Sequence, residues 1–200
     1  MKMFSLSYFI YLAICAIICI AFYFIFKNKS KKTQFIAILI PLFLSFIIHF
    51  LKLLIPIYRD QLPSSIMSIT PETICAISTL AFPFIYISKS VILKNYMVIL
   101  GVISGFLTLI VPGDIIGINP LNIEVMRFFF AHLVIFMCPL FMYIFNIHRP
   151  KGKWIKHTLL TLLVVLTIMV IDNIAFTFIL EGKESGIEYL EKQLGIITQE

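Results

Sequence analysis

Two hundred residues that are 60% hydrophobic and only 13% charged exclude an ordinary soluble domain. Twenty phenylalanines and a mean hydropathy of +1.03 point the same way. The net charge of +6 is no nucleic-acid signal, because the lysines and arginines fall in short connections between apolar runs.

The runs are about twenty residues long, the length that crosses a hydrocarbon core. They predict an all-α fold, a polytopic membrane helix bundle of about six transmembrane helices over residues 1–181, followed by an acidic amphipathic tail at 182–200. The first run, Leu6 to Phe26, is too long for a signal peptide and lacks a small-residue cleavage site, so it reads as a retained helix. Cys15 and Cys19, four apart within it, have no partner ligand nearby and read as packing. A tight basic loop, Lys27 to Lys32, leads to a second run, Phe35 to Ile57, with His49 and Lys52 on one face and Pro41 as a bend.

The third run, Thr70 to Ser88, opens with a proline, a carboxylate and a thiol. Thr70 is expected to cap this helix, Pro71 to sit in its first turn, Glu72 near its positive end and Cys75 in its second turn. A thiol near a helix N-terminus has its thiolate favoured, the condition for nucleophilic work, although the same residue also reads as a small buried hydrophobe. Tyr96 to Val111 is a fourth run in which Gly101 and Gly105, one turn apart, predict a close helix contact. The Pro- and Gly-rich stretch V-P-G-D-I-I-G-I-N-P is a loop. A fifth run, Val125 to Ile147, holds Arg127, His132 and Cys138-Pro139, and a basic segment with Trp154 as an interface anchor follows. The sixth run, Trp154 to Leu180, contains Asp172 and Asn173. In the tail, Ile187, Leu190, Leu194 and Ile197 fall on one face of a short helix suited to a membrane surface.

The loops after runs one, three and five hold ten of the sixteen basic residues and no acidic one. The positive-inside rule then places the loops at 27–34, 88–95 and 148–157 in the cytoplasm and both termini outside a cell membrane. In that topology His49, Cys75, His132 and Asp172–Asn173 lie at similar depth on four helices, His49 roughly 12 Å below the outer end of its run. Intramembrane ionisable groups are expensive and usually face a cavity or one another. One shared polar pocket of His49, Glu72, Cys75, His132, Asp172 and Asn173 is therefore expected. Taken singly, His132 also suits a bond to a backbone carbonyl, and Asp172–Asn173 suits helix–helix contact. A thiol, a histidine and an orienting carboxylate are the parts of a Cys–His acyl-transfer site, for which no cofactor and no metal is expected; the carboxylates and histidines by themselves also suit metal or proton handling.

Three segments carry a family resemblance. Pro71-Glu72-Thr73-Ile74-Cys75 resembles the P-L-H-L-C stretch of YwaF-like integral membrane proteins. Gly105 to Asp114, G-F-L-T-L-I-V-P-G-D, resembles that family's G-x-L-x-x-L-x-x-P-D element, and Arg127 to Tyr143 its F-F-x-S-H helix. An animal branch of the family is described as a cysteine-dependent acyltransferase that remodels ether phospholipids. The resemblance implies Cys75 as the acyl-accepting cysteine, His132 as its partner and membrane lipids as substrates. Thr73 stands where the family has a histidine. Two other functions fit the composition: a six-helix small-solute-binding transporter subunit, and a non-catalytic lipid-binding membrane protein.

Overall fold

A computed structural model describes residues 2, 4–54, 70 and 73–181. Within them the chain is all-helical, with six α-helices: α1 (Leu6–Phe26), α2 (Lys31–Leu51), α3 (Ile74–Ile87), α4 (Val91–Ile110), α5 (Ile123–Ile144) and α6 (Ile155–Glu181). Five of the six are long and apolar enough to cross a membrane; α3, with 14 residues, is shorter. Glu72 and the tail at 182–200 lie outside the described residues.

Side-chain caps set the helix starts. Ser5, Ser30, Ser90 and Asn122 each accept a hydrogen bond from a main-chain N–H of the first turn they precede. For α3 the cap is Thr73 and not Thr70: its Oγ1 accepts from the Ala76 N–H at 3.1 Å. Hence Cys75 is the second residue of α3, in its first turn and nearer the positive helix end than the sequence reading put it. Pro41, Pro83 and Pro139 stand inside α2, α3 and α5 without ending them. The left-handed turn that closes α5 falls on Asn146 (φ 54°), a residue type that tolerates it, and the Ile147 and His148 N–H groups donate back to the Met142 carbonyl.

Helix α5 is the axis of the bundle, packed against α1, α2, α3 and α4 and the most buried of the spans. In lipid there is no hydrophobic drive between apolar helices, so close packing must hold them. The glycines of α4 provide it. A methyl group added at Gly105 would stand 2.7 Å from the Phe136 backbone nitrogen, and one at Gly101 would stand 2.8 Å from both the Phe82 ring and Pro139. The close contact expected of this glycine pair is therefore present, joining α4 to α5 and α3. By contrast α1 and α6 turn apolar residues outward along their length, such as Ile17, Phe24, Leu160 and Leu163, as helices facing lipid do.

The two ends of the bundle differ. At one end lie the basic connections. There the Tyr86 hydroxyl donates to the Phe35 carbonyl at 3.1 Å, the Gln34 amide donates to the Phe26 carbonyl at 2.9 Å, and Lys31 donates to the Phe145 carbonyl. His148 Nε2 meets Asn95 Oδ1 at 2.8 Å, and the Asn95 amide donates to the Lys151 carbonyl at 3.3 Å. At the other end α3 starts late. With 14 residues against 20 for α4, it is about 9 Å shorter, and here the helices part around a cavity.

Candidate functional site

The cavity holds about 690 Å³, within the range of small-molecule sites. α2 contributes His49, and the helical turn after it contributes Lys52. From the start of α3 come Thr73, Cys75 and Thr79; from the last turn of α4, Thr108. Asp114 enters from the short 3-10 turn Gly113–Ile115, and α5 adds Glu124, Arg127 and His132. The connection that carries Asp114 is tied to α1 at both ends. The Tyr8 hydroxyl donates to the Ile110 carbonyl at 2.8 Å, and the Tyr11 hydroxyl to the Pro120 carbonyl at 2.7 Å.

His132 is buried, its ring 4.2 Å from that of Phe128. Its Nδ1 lies 2.8 Å from the Phe128 carbonyl, one turn back on α5. A carbonyl only accepts, so Nδ1 carries the proton, and the lone pair on Nε2 has no hydrogen-bond partner among the described residues. The main chain, and not a carboxylate, thus selects the tautomer that a general base requires. Cys75 is half-buried, and its Sγ lies 3.7 Å from Thr108 Oγ1. The first-turn position on α3 places the sulfur where the helix dipole favours negative charge.

Of the sequence candidates, His49, Cys75 and His132 all line this one cavity. Asp172 and Asn173 do not. The Asn173 amide donates to the Met169 carbonyl of its own helix at 2.8 Å, and Asp172 Oδ2 is buried with no hydrogen-bond partner among the described residues. Equal depth put these two beside the others, but depth says nothing of the direction a side chain takes around its helix axis. The carboxylates that do reach the cavity are Asp114 and Glu124. Asp114 is close enough to act electrostatically on both Cys75 and His132. Glu124 accepts from the Arg127 guanidinium at 2.7 Å. Sequence reasoning placed Asp114 in an outside loop; the signal that pointed to it was its place at the end of the Gly105–Asp114 element. Among the described residues no group of three His, Cys, Asp or Glu side chains is arranged to hold a metal ion.

These features define a class: an integral membrane protein, a polytopic helix bundle with a polar cavity at one end that holds a thiol and two histidines. A sequence model of the TMEM164 family matches residues 3–187, nearly the whole chain, and the protein belongs to that family. No curated protein and no solved structure matches the chain.

Proposed function

We propose that this protein is a membrane lipid acyltransferase with Cys75 as nucleophile and His132 as general base. One observation carries the reading: thiol and imidazole line the same cavity, and the bond from His132 Nδ1 to Phe128 leaves Nε2 free to take a proton. In the first half-reaction Nε2 accepts the S–H proton and the sulfur attacks the carbonyl of a lipid acyl ester. The C–O bond breaks, the proton returns to the departing alcohol oxygen, and a thioester remains on Cys75. In the second half, Nε2 takes the proton of an acceptor hydroxyl, whose oxygen attacks the thioester and releases the thiol. Asp114 supplies negative charge that offsets the imidazolium formed in each half. No cofactor takes part. The likeness to YwaF-like proteins and their ether-lipid acyltransferase relatives supports the same assignment.

The reading places the cavity in the outer half of a cell membrane, with both termini outside and the basic connections in the cytoplasm. Ser30→Cys is then protected from an impermeant thiol reagent in intact cells; labelling there would reverse the orientation. The chemistry is tested by mass spectrometry of the purified chain after incubation with labelled phospholipid vesicles. An acyl adduct on Cys75 is expected. Lipid binding without an adduct on Cys75 would leave a non-catalytic lipid-binding protein.

A further inference from the structure

Thr108 sits where one hydroxyl can serve the Cys75 sulfur in both of its protonation states. Its Oγ1 lies 3.7 Å from Cys75 Sγ and 2.9 Å from the Ser104 carbonyl one turn back on α4. A hydroxyl has one proton and two lone pairs. While the proton goes to the Ser104 carbonyl, the oxygen can only accept from the sulfur, so the contact is S–H to Oγ1. That arrangement suits a thiol. A thiolate instead needs a donor, and among the described residues Thr108 is the one side chain hydrogen-bonded to this sulfur.

Rotation about the Thr108 Cβ–Oγ1 bond exchanges the two arrangements. The Ser104 carbonyl, within α4, keeps its place in the main-chain ladder when the side-chain bond leaves it, so the exchange orphans no buried group. The cavity supplies the trigger, because His132, whose Nδ1 is engaged by Phe128 and whose Nε2 carries the lone pair, lines the same space as Cys75 and Thr108.

We propose that Thr108 is a positioning residue for the nucleophile, accepting from the Cys75 thiol at rest and donating to the thiolate once His132 has taken its proton. The proposal rests on the reading of Cys75 as the nucleophile. In the step itself the S–H bond breaks, its proton passes to His132 Nε2 and both electrons stay on sulfur. Thr108 neither gains nor loses a proton; its hydroxyl turns. A hydrogen bond to an ionised group is stronger than one between neutral groups, so the contact favours the charged form it meets during attack.

The test is the rate of iodoacetamide alkylation at Cys75, resolved by mass spectrometry on the full chain in detergent, from about pH 6 to about pH 10. Thr108→Val keeps the shape and removes the hydroxyl; Thr108→Ser keeps the hydroxyl. The expected result is an alkylation rate about tenfold lower in Thr108→Val near neutral pH, with the profile displaced to the alkaline side. Thr108→Ser is expected to stay within about twofold of the parent. A Thr108→Val profile that superimposes on the parent overturns the proposal, as does an equal slowing in both variants, which would mark a packing effect. Should Thr108→Val fail to fold, Thr108→Ala carries the same expectation without added bulk. The readout needs no acyl donor. An absent acyl adduct on Cys75 therefore removes the acyltransferase reading, whereas an unmoved alkylation profile removes the role of Thr108 alone.

Discussion

The two ends of this bundle, both drawing on helices α1 to α5, differ in what their polar atoms meet. At the basic end the donors of Lys31, Gln34, Tyr86 and Asn95 each run to a main-chain carbonyl, tying one helix or connection to another. At the cavity end, apart from the ties of Tyr8 and Tyr11 to the Asp114 connection and the Cys75–Thr108 contact, the partners are local. His132 bonds its own helix one turn back, Thr108 does the same, and His132 and Cys75 both border the cavity. A polar group in hydrocarbon must be satisfied, and the basic end spends that need on joining helices. At the cavity end the polar side chains of α2 to α5 instead line a shared open volume. That contrast separates a closure from a candidate site.

The contrast is broken most sharply by removing the site itself. Cys75→Ala and His132→Ala are each expected to lower acyl release from labelled phospholipid in liposomes by about 10²-fold or more. The double variant should fall no further than the more damaged single one, because the proposed mechanism uses both residues in one step. Undiminished turnover in Cys75→Ala would end the acyltransferase reading. Helix packing is tested next by Gly105→Ala, which drives a methyl group against the Phe136 backbone, atoms that cannot swing aside. An overpacking loss of about 1–3 kcal/mol is expected, read as a lower unfolding midpoint in detergent. A variant as stable as the parent would show that α4 and α5 do not meet there.

The two carboxylates sharpen the comparison further. Asp114→Asn, at the cavity, is expected to reduce turnover about tenfold by removing charge that offsets the imidazolium, whereas Asp172→Asn, off the cavity, leaves turnover unchanged. Equal losses from both would return Asp172 to the site.

The smallest effect is at the basic end. Burial first, and then the Lys94 and Lys151 charges, holds the His148 imidazole below its usual range. With the folded value depressed, the unfolded chain binds the proton more readily. This contribution to stability is therefore complete above about pH 6.5 and is lost as pH falls from there through the folded value. His148→Gln keeps a donor for Asn95 Oδ1 and removes the titration. Its unfolding midpoint should thus change less than the parent's between neutral and mildly acidic detergent solution. An unchanged acid sensitivity would assign that slope to another group.

What the sequence alone determined is whatever runs along a single helix. Apolar length marked all six helices, with Leu6 and Phe26 as the bounds of the first. The spacing of Gly101 and Gly105 announced a close contact because one turn of helix puts both on one face. Residue count gives depth, since each helical residue rises by about 1.5 Å, and depth put His49, Cys75 and His132 at one level together with Asp172 and Asn173. Tertiary structure decided what lies around the axes and between the helices. Asp172 shares the depth of the cavity but does not line it, and Asp114 reaches the cavity from a connection whose two ends are held to α1 by Tyr8 and Tyr11. The start of α3 belongs with these. Thr70 and Thr73 are equally good caps by residue type, and the choice of Thr73 puts Cys75 in the first turn instead of the second. A one-dimensional pattern carries period and length; it does not carry the packing that sets azimuth, loop path and the choice between two competent caps.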